Sequence, residues 1–372
     1  MKDRILVTGG AGFIGSHLAD LLLQEGYEVR ALDNLDPQVH GPGAGRPDYL
    51  DPEIELIVGD VRDRDTVDRA LEGCSRLVHF AAAVGVGQSM YEPEHYVSVN
   101  CSGTATVLKA AIEYGRLEKM LVASSMSIYG EGLYECPDCG PVTPGLREEQ
   151  QLAGRMWEPL CPSCGHACSP LPTAESKRLI PTSVYAVTKR DQEELFIAVG
   201  AAYGIPAVAL RFFNVYGTRQ ALSNPYTGVG AIFASRLLNG EPPVIFEDGM
   251  QSRDFIHVSD IARAVLRSLE SDASGLALNV GSGRATSIME MAGALAAHMG
   301  RPLEFVVRNE FRAGDIRHCY ADTALAGKTL GFSASVTLEE GVPDLVDWVS
   351  GQTSVDMVKQ AVGELSDRGL VR

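Results

Sequence analysis

The chain has 372 residues, 45% apolar and 22% charged, an ordinary globular composition with room for one large domain or two lobes. A formal net charge of −16 excludes a nucleic-acid-binding surface, because phosphate backbones are held by Lys/Arg-rich faces. A diphosphate ligand would need a local cluster of arginines. No apolar run reaches the ~18 residues of a membrane span, and MKDRILVTGG leads straight into strand and loop without signal-peptide character. No membrane partner is therefore expected, and the cytoplasm is the expected compartment.

In chain order, Ile5–Val7 is a buried-strand run, and Ile14, Leu18, Leu21 and Leu22 recur on one helical face. Between them Gly9, Gly12 and Gly15 give a GxxGxxG spacing, which permits a tight turn, close backbone approach to a pyrophosphate and close helix packing. The helix N-terminus adds free N–H groups and a partial positive charge. Val29–Leu32 is the second strand, and Asp33 follows it, where a carboxylate accepts the adenosine ribose hydroxyls and repels a 2′-phosphate. That favours NAD over NADP. Leu56–Val58 is a third strand; Asp60 behind it reads either as an adenine contact or as an exposed loop aspartate.

Strands at Leu77–Phe80 and Met120–Ala123 flank a helix around 104–113. Strands alternating with helices predict right-handed βαβ units and a doubly wound parallel α/β sheet of the Rossmann type. Residues 131–178 break the rhythm and read as an insertion. Five of the eight cysteines lie here, and Cys136-Pro-Asp-Cys139-Gly and Cys161-Pro-Ser-Cys164-Gly form two CPxCG knuckles. Two such turns present four thiolates to one tetrahedral ion, so a structural zinc with no open position is expected, within a zinc-ribbon-like flap beside the active site. His166 and Cys168 are superfluous for four ligands.

A helix over 183–200 carries Tyr185 and Lys189 four residues apart on one face. A lysine ammonium beside a tyrosine favours the phenolate and makes it a base for a sugar hydroxyl. The strand Val208–Phe213 follows. Beyond Asn214 the pattern loosens, with helices at 228–239, 259–270 and 287–299, and Ala277–Val280 is placed to return to the main sheet. The expected organisation is a dinucleotide-binding domain over 1–130 and 179–213 with parts of 254–280, the insertion at 131–178, and a smaller substrate lobe over 214–253 and 281–372.

The segments TGGAGFIG, HFAAAVGVGQS, ASSMSIYG, YAVTK, LRFFNVYG, RDFIHVSDIARA, NVGSG and RAGDIRHCYAD, in that order from residue 8 to about 322, resemble the extended short-chain dehydrogenase/reductase family in its nucleotide-sugar epimerase and dehydratase branch. The resemblance implies tightly bound NAD, with contacts at Gly9, Gly12, Phe13, Ile14, Gly15, Asp33, Asn34, Asp60, Val61, Ala81, Ala82, Tyr185 and Lys189. It implies catalysis by Ser125, Tyr185 and Lys189, with Ser125 and Asn214 on the sugar, Arg253 on the diphosphate, and Arg312 with Asp315 on nucleotide phosphate and ribose. Guanidinium forks suit phosphate oxygens and supply the local positive charge. Phe246 reads either as a nucleobase stacking platform or as a core residue, and Cys319 either as a small residue at a pocket gate or as packing. A homodimer is expected, since relatives pair through two helices.

Where 4,6-dehydratases carry an Asp-Glu pair this chain has Met126 and Ser127, which cannot move protons near neutral pH. Epimerisation at C4 asks only for Tyr185 and NAD. The strings VGVGQSMYE, SMSIYGEGLY and RQALSNPYTGV resemble dTDP-L-rhamnose 4-epimerases, which puts dTDP-L-rhamnose or another dTDP-hexose ahead of UDP-hexose or UDP-hexuronate. An NAD(P)-dependent oxidoreductase releasing its product, and a catalytically silent nucleotide-binding scaffold, are the alternatives.

Overall fold

Seven parallel strands form the central sheet of the computed structural model, which describes residues 3–226, 228–353 and 355–371. They are β1 (Arg4–Thr8), β2 (Glu28–Asp33), β3 (Glu55–Val58), β4 (Arg76–His79), β5 (Lys119–Ser125), β6 (Ala207–Phe212) and β7 (Leu276–Val280). Their spatial order is β7-β6-β5-β4-β1-β2-β3. Sequence order reverses between β1 and β4, and ligands of doubly wound sheets bind at the carboxyl ends of the strands beside such a switch.

The apolar strand runs are continuous because both faces are covered. Ile5 and Val7 pack with Leu18 and Ala19 of α1 (Phe13–Gln24) and with Ile261 and Val265 of a helix over Val258–Glu270. Leu6 points the other way, toward Val67 of α2 (Arg64–Leu71), Val107 and Leu108 of α3 (Gly103–Tyr114) and Phe196 of α4 (Val184–Tyr203). Each such fully buried side chain stabilises the sheet by about 2 kcal/mol. β7 pairs with β6 in the register Ala277↔Ala209, so this run does return to the main sheet.

A second core joins Tyr216, Phe233, Ile245, Leu295, Val342 and Leu345, drawn from helices over Val229–Leu238, Ile288–His298 and Leu338–Ser350. The cysteine-rich stretch is more ordered than its lack of period suggests. Leu133–Cys136 pairs antiparallel with Gly140–Val142 and with Ser169–Leu171. Tyr134, Cys136, Cys161 and Cys168 bury one another in a core of their own. Among the described residues, no helix is long and apolar enough to cross a membrane.

Candidate active site

The turn after β1 is built to receive a phosphate. Gly9 takes φ +69°, and a Cβ there would stand 2.9 Å from Ala81 N; a Cβ on Gly15 would meet Gly9 O at 2.1 Å. The N-cap of α1 is Gly12, which offers no side-chain cap, so the first N–H groups of the helix, from Phe13 onward, keep their donors for a ligand. Asp33, at the carboxyl end of β2, is buried; its two oxygens accept from Ala11 N and Leu35 N, each at 3.0 Å. These features fit a dinucleotide.

Neighbouring residues refine the expected cofactor contacts. His40 Nε2 lies 3.6 Å from Asp33 Oδ1, a partner the sequence reading missed because the loop between them has no period. Asp60 is taken by Arg62, which donates Nε at 2.9 Å and Nη2 at 2.6 Å, and Asn34 bonds the same carboxylate. Val61 is buried against Gly103, and Ala81, ahead of Ala82, donates its N–H to Thr8 Oγ1 at 3.2 Å.

Ser125 ends β5, and Tyr185 and Lys189 sit in the first turns of α4, whose Ser183 N-cap accepts from Ala186 N at 3.1 Å. The strand and helix are braced by buried ions: Glu193 of α4 accepts from Ser124 Oγ at 2.6 Å and from Arg211 of β6 at 2.6 and 3.0 Å. Asn100, in a π-helical turn before α3, donates to Thr188 Oγ1 at 2.9 Å and accepts from Ala83 N at 2.8 Å. Ser125 Oγ accepts from Ser127 Oγ at 2.9 Å and hydrogen-bonds the Tyr185 phenol.

The phenol does not follow the expectation of a lysine-lowered pKa. Burial pushes Tyr185 up to about 12 against the pull of Ser125. Burial also pulls Lys189 down to about 7. Its Nζ is spent on Ala123 O and Gln192 Oε1, both at 2.8 Å. Desolvation by the protein thus dominates both groups.

The arginine cluster demanded by the acidic composition is present around Asp315. Arg312 forks onto Asp315 Oδ2 at 2.9 and 2.7 Å, and its guanidinium lies 4.9 Å from the centre of the Phe246 ring. Burial works to raise the Asp315 carboxyl, but Arg312 and Arg253 hold it below the usual range. Arg253 donates to Ser252 O, Arg317 O and Ile316 O at 2.7–2.9 Å, which pins its guanidinium to the same segment. Asn214 Oδ1 is buried and has no hydrogen-bond partner among the described residues, an acceptor that suits a ligand donor. Cys319 is 1% exposed, donates to Thr173 Oγ1 at 3.8 Å and pairs in register with Arg253.

The model of the NAD dependent epimerase/dehydratase family matches residues 5–153 and 164–281. The chain belongs to that family. It is 38% identical over 356 residues to the dTDP-L-rhamnose 4-epimerase of Burkholderia thailandensis, covering 93% of this chain and 95% of that protein. Two solved structures are each 30% identical. The UDP-glucose 4-epimerase of Thermotoga maritima with UDP-glucose has a TM-score of 0.76 and covers 93% of this chain and 98% of that one. The Thermus thermophilus UDP-glucose 4-epimerase in complex with NAD has a TM-score of 0.74 and covers 94% and 100%.

On this epimerase/dehydratase scaffold the insertion adds a metal-like centre. The sulfurs of Cys136, Cys139, Cys161 and Cys164 all lie within 4.8 Å of one another. Backbone N–H groups of Ser163 and Cys164 point at Cys161 and draw its thiol pKa down, as a knuckle turn should. The donor set fits a tetrahedral, thiolate-binding ion. Cys168 is buried beside it and donates to His166 O at 3.6 Å. His166 bonds Asp138 at the rim.

Proposed function

We propose that this nucleotide-sugar 4-epimerase acts in the cytoplasm on dTDP-L-rhamnose or another dTDP-hexose, with NAD held throughout the cycle and a structural zinc in its insertion. The reading is supported by Ser125 at the end of β5 and Tyr185 and Lys189 in the first turns of α4, on a fold that also carries a glycine-lined dinucleotide cradle and a cluster of arginines around Asp315. The 38% identity to a dTDP-L-rhamnose 4-epimerase supports the substrate. A UDP-hexose or UDP-hexuronate is the second reading, favoured by the likeness to epimerases solved with UDP-sugars.

Arg253, Arg312 and Asp315 would hold the nucleoside diphosphate, and Ser125 and Asn214 the sugar. The glycine turn and Asp33 would hold NAD, with Asp33 excluding a 2′-phosphate. NAD, when bound, supplies the hydride acceptor and donor, together with a positive charge that favours the phenolate. Tyr185 takes the proton of the C4 hydroxyl and later returns it, while Ser125 keeps that oxygen in reach. Met126 and Ser127 provide no acid or base beside C5 and C6, so water elimination does not compete. The sugar turns between the two half-reactions and presents its other face, which makes the net change an inversion at C4.

A homodimer through α3 and α4 belongs to the same reading. Val97 and Val187, 45% and 52% exposed, line an apolar groove with Met90 and Cys101 between the π-helical turn before α3 and the start of α4. Incubating the purified protein with a panel of dTDP- and UDP-sugars and resolving products by NMR tests the substrate assignment. Conversion of UDP-sugars alone would replace dTDP-L-rhamnose with the second reading.

A further inference from the structure

The insertion docks on the nucleotide side of the cleft through buried charge. Arg147, with a side chain 2% exposed, donates Nη1 and Nη2 to Glu247 Oε2 and Oε1 at 2.9 and 2.8 Å. Its Nη2 also reaches the backbone carbonyl of Asp315 at 3.2 Å. Glu247 accepts Arg317 Nη1 at 3.0 Å as well. From the same insertion Glu158 binds Arg317 Nη2 at 2.7 Å and His318 Nε2 at 2.9 Å.

Glu247 stands at φ +55°, in the left-handed region that residues other than glycine and asparagine rarely adopt. It separates Phe246 from Asp248, and its backbone N–H donates to Glu310 O at 2.8 Å. Two guanidinium groups gripping a buried carboxylate add little to stability, because desolvation of the charges offsets their attraction. What such a network does is fix one geometry. Arg147 touches both the residue beside Phe246 and the carbonyl of Asp315, and Phe246 and Asp315 are the two positions bridged by Arg312.

We infer that Arg147 is a positioning residue for the nucleotide end of the substrate. It holds Glu247 and the Asp315 carbonyl in one register, so the insertion sets affinity for the nucleoside diphosphate and leaves proton transfer at Tyr185 untouched. The inference rests on the epimerase reading of the site and extends it to a segment outside the dinucleotide cradle.

Calorimetric titration of the NAD-containing enzyme with UDP and dTDP, beside kcat and KM for the sugar nucleotide it turns over, provides the test. Arg147→Lys keeps the charge and loses the fork, so nucleotide Kd and KM each rise about ten-fold while kcat stays within about two-fold. In a Glu247→Gln background the same change adds less than about two-fold, since both act through one contact. Unchanged Kd in Arg147→Lys, or a kcat that falls with thermal stability at constant KM, overturns the positioning role and leaves the epimerase standing. A parent enzyme that binds neither nucleotide overturns both. Should Arg147→Lys fail to fold, Glu247→Gln, which loses the other half of the same contact, takes its place; an unchanged KM there also overturns the inference.

Discussion

Lys189 Nζ lies 2.8 Å from Gln192 Oε1, and the Gln192 amide in turn donates to Thr104 Oγ1 at 2.7 Å and sits 3.3 Å from His79 Nε2. One turn of α4 therefore carries both Lys189 and the acceptor that orients its Nζ. Gln192→Leu removes that acceptor from a buried charge. The expected result is a kcat about ten-fold lower at unchanged KM and NAD content. A stability loss with unchanged kcat would show Gln192 to be packing alone.

His79 itself predicts a pH effect. Burial, with a smaller push from the Lys189 charge, pulls its imidazole from 6.5 down to about 3. Between these values the unfolded chain binds a proton that the folded chain refuses. The stability contributed by neutral His79 is complete above pH ~6.5 and is lost as pH falls toward 3, amounting to about 2 kcal/mol by pH 5. Urea unfolding at pH 7 and pH 5 should show the parent losing more than His79→Gln. Equal losses would remove His79 as the cause.

Arg253 is pinned by three backbone carbonyls beside Asp315, so its guanidinium is preorganised for a phosphate. Arg253→Ala is expected to raise KM by about 10- to 100-fold, the worth of a charge-assisted contact, with a smaller effect on kcat. Steady-state kinetics decide it, and a KM within two-fold of the parent would place the diphosphate elsewhere.

A chelator should release one zinc per chain. Residues 131–178 then lose amide protection while the β1–β7 sheet keeps its own, because the sulfurs cross-link the insertion alone. Hydrogen exchange followed by mass spectrometry measures both regions together. Metal analysis finding no zinc in the purified protein, or exchange that spreads evenly over the chain, would refute a separable metal-dependent unit.

The parts legible in the sequence are those whose signal is local. Ile5–Val7, the Gly9–Gly15 turn and the Tyr185–Lys189 spacing each sit within one element, and the structure places each where period and spacing put it. The contacts that stayed hidden join distant segments. Arg147 meets a residue 100 positions away, and Arg317 meets Glu158 across 159. His40 reaches Asp33 through a loop without period. Burial, which dominates the pKa of both Tyr185 and Lys189, is likewise invisible in a four-residue spacing. Cys319 shows the same gap, since its neighbour Thr173 comes from the insertion.

The central claim is that hydrogen leaves and rejoins one sugar carbon while Tyr185 handles the hydroxyl proton. A substrate deuterated at C4, converted by the parent enzyme and by Tyr185→Phe and followed by NMR, tests it most directly. The account predicts an inverted C4 that keeps its deuterium, no free NADH, and a Tyr185→Phe rate lower by about 10²- to 10⁴-fold. Deuterium lost to solvent, NADH formed in step with product, or a Tyr185→Phe variant as fast as the parent would contradict it.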